Sequence, residues 1–145
     1  MKVIDRVRAV VADALYLDAD EVQRESSLMK DLGAESIDFL DIIFRLEKEF
    51  SIKLPKGDIE RKARGGLSEE DFAVGGKLTA AGMTSVKHAM PEVNPTEFSR
   101  QLLVRDIPSL FTVATFERMV SEQLFGTSPD DSMVIAPDAF PASRV

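Results

Sequence analysis

The chain of 145 residues contains no cysteine and no tryptophan, and it has a single histidine, His88. Without cysteine there is no disulfide framework, no thiolate metal site and no cysteine nucleophile. A lone imidazole has no second ligand or base to join, so His88 reads as a surface or packing residue. Positive charge is in deficit: 25 acids face 18 bases, a formal net charge of -7. That sign opposes a polyphosphate backbone and excludes nucleic acid as a partner. Charges recur every few residues from Met1-Lys2-Val3-Ile4-Asp5-Arg6 onward, so no apolar run is long enough to span a bilayer and no uncharged signal region precedes the chain's body. The expectation is a soluble, cytoplasmic protein without a transmembrane segment.

Most catalytic and metal templates are missing as well. The residues around Ser36 read Ala34-Glu35-Ser36-Ile37-Asp38, which is not a nucleophile elbow. Gly75-Gly76-Lys77-Leu78 lacks the spacing of a phosphate loop and the hydroxyl residue after lysine. Asp18-Ala19-Asp20 starts like a calcium loop, but Val22 stands at the next ligand position and no loop glycine follows. A hydrolase built on Ser36 and His88 would need an orienting acid that the sequence does not supply. Neither a catalytic residue nor a metal site is expected.

What the sequence does contain is helical periodicity. Val3, Val7, Val10, Val11, Ala14 and Leu15 recur at spacings of three and four and predict a first amphipathic helix. A polar connection from Asp18 to Gly33 follows, anchored by Val22, Leu28 and Leu32. The Gly33-Ala34-Glu35-Ser36 step then opens a second helix over 36–50, which Pro55 ends. Thr112 caps a last helix over 113–125 that carries Val113, Phe116, Val120 and Leu124 and closes at Gly126, with a short turn over 107–111 before it. Between Lys56 and Arg105 the glycine pairs 65–66 and 75–76 and the prolines Pro91 and Pro95 break the pattern into several short helices. Caps are expected at Ser68, at Asn94 leading into Phe98, Leu102 and Leu103, and less distinctly over 79–90. The stretch from 127, with its prolines and aperiodic apolar residues, is expected to be a disordered tail.

The second helix carries two apolar stripes when its residues are placed at intervals of about 100°. Phe39, Ile42, Ile43, Leu46 and Phe50 form a charge-free stripe suited to a core. Ile37, Leu40 and Phe44 form another, laced with Asp41, Glu47 and Lys48. A mixed stripe fits either a surface that docks intermittently or the edge of a large core over which charged side chains snorkel.

The run Asp31-Leu32-Gly33-Ala34-Glu35-Ser36-Ile37-Asp38, continued by Leu40-Asp41, Leu46-Glu47, Glu49-Phe50 and Ile52-Lys53-Leu54-Pro55, closely resembles the prosthetic-group site and second helix of acyl carrier proteins. The usual Asp-Ser-Leu there becomes Glu35-Ser36-Ile37. The resemblance extends to the first helix, and Thr112-Val113-Ala114-Thr115-Phe116 looks like the start of the family's last helix. It implies an all-α fold, an acyl-carrier-like four-helix bundle with an inserted helical subdomain and a flexible C-terminal tail. Residues 1–126 would form a single carrier-like domain, with a core of 1–55 and 106–126, an insertion at 56–105 and a tail at 127–145. Without insertion and tail, 76 residues remain, about the size of an ordinary carrier domain.

By the same resemblance, Ser36 carries a covalent 4'-phosphopantetheine whose thiol holds acyl groups as thioesters, with Glu35 and Ile37 flanking the attachment. The first turn of a helix suits a phosphodiester anion, although a serine there is also an ordinary N-cap. The implied partners are a phosphopantetheinyl transferase and acyl-transferring and chain-elongating enzymes with basic docking patches, in fatty-acid, lipid or polyketide biosynthesis. Asp38, Leu40, Asp41, Phe44, Glu47 and Lys48 are the expected partner-binding residues, and the protein is expected to be a monomeric carrier, not an enzyme. Alternatives are a carrier-like interaction module without a prosthetic group, or a peptidyl or aminoacyl carrier, which Ala34-Glu35 disfavours. The insertion, with Leu78, Val86, Met90, Phe98, Leu102 and Leu103, would either enlarge or lid an acyl pocket or decorate the surface.

Overall fold

A computed structural model describes residues 2–54 and 61–126. They divide into two compact units, 2–54 with 112–126 and 61–111. The tail expected from 127, and Pro55 as a helix stop, lie outside the described residues.

The first unit is built on three helices, α1 (Val3–Leu15), α2 (Ser36–Phe50) and the last helix of the chain (Val113–Phe125). Each has the bounds that periodicity predicts, because apolar residues at spacings of three and four must share a face. α1 packs on both of the others, burying Val3, Ile4, Val7, Val10 and Val11 against Ile42, Ile43, Leu46, Phe50, Val113, Phe116 and Val120. Each such side chain contributes about 1.5–3 kcal/mol. α2 stops because Ser51 turns into the left-handed region at φ 54° and returns its N–H to Glu47 O. The Glu47 carboxylate then accepts the Leu54 N–H at 2.8 Å, beyond the left-handed cap that Ser51 forms.

The connection before α2 is irregular but anchored. Val22 and Leu28 are fully buried, as their apolar character predicts, and Arg8 donates to Val22 O at 2.6 Å and Ala19 O at 2.8 Å. The connection also closes the start of the last helix. Val113 and Ala114 donate their N–H groups to Ser26 O at 3.1 Å and Arg24 O at 2.9 Å. Thr112 N–H donates to Thr115 Oγ1 and Thr115 N–H to Thr112 O, both at 3.0 Å. All four donors that a helix start leaves over are thereby used.

The second unit contains helical residues 61–64, α3 (Glu69–Phe72), a hairpin of β1 (Ala73–Val74) and β2 (Lys77–Leu78), and α4 (Ala80–Ala89). Two 3-10 segments follow, Pro95–Phe98 and Val104–Leu110; the helix of the first unit that comes after them is α5 (Val113–Phe125). The expected caps form: Ser68 accepts from Asp71 N–H at 3.2 Å, Thr79 from Gly82 N–H at 3.0 Å and Asn94 from Thr96 N–H at 3.0 Å.

Two features depart from the purely helical reading of this segment. Gly75 and Gly76 take φ 59° and 81°, the two positive values that a tight hairpin turn requires, and pair Ala73 with Leu78 and Val74 with Lys77. The Asn94 cap starts only a single 3-10 segment, because the chain beyond it is drawn alongside β2. Leu78 N–H donates to Leu102 O at 3.0 Å and Val104 N–H to Gly76 O at 2.9 Å. The fold remains mostly helical, as expected.

No helix among the described residues is long and apolar enough to cross a membrane.

Candidate functional site

The first turn of α2 decides what Ser36 is free to do. Glu35, at the N-cap, has extended backbone, and its N–H donates to Asp38 Oδ2 at 2.8 Å while Asp38 N–H donates to Glu35 O at 2.9 Å. Glu35 holds the N-cap position and the Asp38 carboxylate closes back on its N–H, so the N-cap position open to a serine here is taken by its neighbour. Ser36 is the first helical residue and is exposed. Among the described residues its hydroxyl has no hydrogen-bond partner, and neither its N–H nor that of Ile37 is taken. Gly33, at φ 73°, makes the bend that brings the chain into this turn.

An exposed hydroxyl beside two untaken N–H groups at the positive end of a 15-residue helix suits an attached phosphodiester, since the donors and the helix dipole both favour an anion. Neither of the Glu35–Asp38 hydrogen bonds must break to accommodate one.

The two stripes of α2 separate as their compositions suggest. Ile42, Ile43, Leu46 and Phe50 are buried, and Phe39 is half-buried with its ring edge-on to Phe116, centroids 6.3 Å apart. The mixed stripe faces outward: Ile37 is 70% and Phe44 60% exposed, and Leu40 is half-buried between them. The snorkelling alternative therefore fails for Ile37 and Phe44.

The acids of α2 have partners within the chain. Arg45 Nε lies 3.1 Å from both carboxylate oxygens of Asp41. Glu47 holds Leu54 N–H, and Glu49 is paired with Arg6, whose guanidinium also lies 5.6 Å above the Phe50 ring. Lys48 is exposed and has no ion-pair partner among the described residues.

Sequence reasoning missed three of these arrangements. The Asp41–Arg45 pair is visible as an i, i+4 spacing, and the Glu35–Asp38 contact as an acid three residues after an acidic cap. The Arg6–Glu49 pair depends on how α1 meets α2 and leaves no local trace. His88 is exposed on α4 and joins no hydrogen bond or ion pair among the described residues. No group of acids and histidines among those residues could hold a metal ion.

Comparison with known proteins agrees on the region. A family model described as "Phosphopantetheine attachment site" matches residues 5–63. An acyl carrier protein of Campylobacter jejuni subsp. doylei is 44% identical over 61 residues, 42% of this chain and 79% of the relative. One from Clostridium acetobutylicum is 42% identical over 59 residues, 41% of this chain and 77% of the relative. The acyl carrier protein AcpXL of Mesorhizobium japonicum is 39% identical over 77 residues, 52% of this chain and 83% of the relative.

Proposed function

The chain belongs to the acyl carrier protein family, and from that premise we propose that Ser36 is the residue to which its 4'-phosphopantetheine is joined. The group is the family's covalent cofactor; bound, it supplies a thiol that holds acyl intermediates as thioesters. The observation that carries the assignment to Ser36 is the division of labour in the first turn of α2. Glu35 and Asp38 cap the helix, which leaves the Ser36 hydroxyl exposed and unbonded among the described residues. Glu35 and Ile37 flank the attachment, and the N–H groups of Ser36 and Ile37 face the anion that attachment would create.

The carrier part on this reading is 1–55 with 106–126; the segment 56–105 is an addition to it and 127–145 a tail. The protein is itself no catalyst: it holds the intermediate and presents it. A phosphopantetheinyl transferase installs the arm, and acyl-transferring and chain-elongating enzymes of fatty-acid, lipid or polyketide synthesis meet the outward stripe of α2 through Asp38, Leu40, Asp41, Phe44, Glu47 and Lys48. The exposure of Ile37 and Phe44 supports that use of the stripe. It works as a monomer in the cytoplasm.

The test is to incubate the purified apo-protein with coenzyme A and a broad-specificity phosphopantetheinyl transferase, and to read the intact mass beside a Ser36→Ala control. A gain of one phosphopantetheinyl group that the control lacks is expected. The same gain in the control would place the arm on another residue.

A further inference from the structure

The outward stripe of α2 is more than an apolar line, because its two ends carry opposite charge. Ile37, Leu40, Phe44 and Lys48 follow one another at helical spacings of three and four. At a rise of about 1.5 Å per residue they extend roughly 16 Å along the helix. At the Ser36 end stand the carboxylates of Glu35, exposed, and of Asp38, half-exposed and accepting the Glu35 N–H. In the middle, Arg45 offsets Asp41 at 3.1 Å. Beyond Phe44, Glu47 is half-buried and accepts the Leu54 N–H, and Glu49 is half-buried and paired with Arg6, so the exposed charge of this part of α2 that has no ion-pair partner among the described residues is the cation Lys48.

Resting on the carrier reading of this chain, we propose that the stripe docks with one polarity and selects enzymes whose complementary surface is basic near the Ser36 end, apolar in the middle and acidic opposite Lys48. A patch that is basic throughout would bring a like charge onto Lys48, and like charges set against each other at an interface are a principal means of rejecting wrong partners. The apolar centre gives holding power, and the charged ends give direction: an enzyme that approached with its surface reversed would meet repulsion at both ends. Lys48 is thereby the specificity-determining residue of the face. A cation in the last turn of a helix also favours the helix dipole, but that role acts on stability and not on the choice of partner.

The experiment measures acyl transfer between the loaded full-length protein and a ketoacyl synthase with a basic docking patch. Versions of the same synthase follow, in which each patch lysine or arginine is changed singly to glutamate. The carriers are the unaltered chain, Lys48→Glu and Lys48→Arg, each checked by circular dichroism and by intact mass for the arm. Lys48→Glu is expected to lower KM for the unaltered synthase roughly threefold with kcat unchanged, the size of one exposed charge interaction, while Lys48→Arg behaves as the unaltered chain. At least one synthase reversal is expected to lower KM for the unaltered carrier and raise it for Lys48→Glu. Equal KM values for the unaltered chain and Lys48→Glu, or parallel responses of both to every reversal, would overturn the proposal. If no chain gains the arm, the carrier reading itself falls, and this proposal with it.

Discussion

Arg24 grips Glu117 through two parallel hydrogen bonds, Nε to Oε1 at 3.0 Å and Nη2 to Oε2 at 3.1 Å. The residues are 93 positions apart in sequence, and the pair fastens the connection before α2 to α5. The Glu117 side chain is only 6% exposed, so its carboxylate depends on the guanidinium. Arg24→Ala is expected to destabilise the first unit by about 2 kcal/mol, whereas Arg24→Met with Glu117→Leu loses less, because no buried charge is left behind. Denaturant unfolding of the single and double variants checks the order.

The first turn of α2 predicts opposite outcomes for two neighbouring hydroxyl and carboxyl groups. Asp38→Ala removes the acceptor of the Glu35 N–H and is expected to cost about 1 kcal/mol. Ser36→Ala removes a hydroxyl with no hydrogen bond among the described residues and is expected to leave the melting temperature within a degree or two, a change of under about 0.5 kcal/mol. A large loss in Ser36→Ala would mean that the serine has a structural bond after all.

Two phenylalanines of the same helix should part company in the same way. Phe39 meets Phe116 edge-on at 6.3 Å, so Phe39→Ala is expected to lower stability by about 2 kcal/mol. Phe44 is 60% exposed, and Phe44→Ala is expected to stay within about 0.5 kcal/mol in stability while raising KM for a synthase that accepts the loaded carrier. Thermal unfolding and transfer kinetics on the two variants separate the roles.

In the second unit Gly82 is fixed by space. A Cβ there would lie 2.1 Å from the carbonyl oxygen of Phe72, which already accepts Thr79 N–H at 2.9 Å. Gly82→Ala should therefore destabilise the unit by about 2 kcal/mol or more despite alanine's better helix propensity. Hydrogen exchange over residues 69–89 is expected to accelerate in the variant; unchanged protection would mean that α4 shifts aside at little cost.

How much of this could be read in advance depends on the range of the interaction. α1, α2 and α5 declare themselves because each repeats its apolar residues every turn, and α5 closes at a glycine, Gly126, that the chain shows locally. The hairpin does not: two-residue strands are too short to alternate, and Gly75-Gly76 reads equally well as a simple break. The Asn94 cap is legible, but its failure to lead on to Leu102 follows from the Leu78–Leu102 pairing, which joins distant residues. At the site, Ser36 and the mixed stripe of α2 can be picked out from sequence. That Arg6 and Arg24 pair with Glu49 and Glu117 follows from packing that the sequence does not display.

Within the first unit, the starts of α2 and α5 differ in what they offer a negatively charged group. At α5 the connection's carbonyls, the Thr115 hydroxyl and the Thr112 carbonyl take every leftover N–H from Thr112 to Thr115. At α2, those of Ser36 and Ile37 stay open. Of these two doors a phosphate therefore finds one shut and the other ajar, and the open one has an exposed hydroxyl, that of Ser36, on its threshold. The fold thus narrows where an anion can settle before any transferase has made its choice.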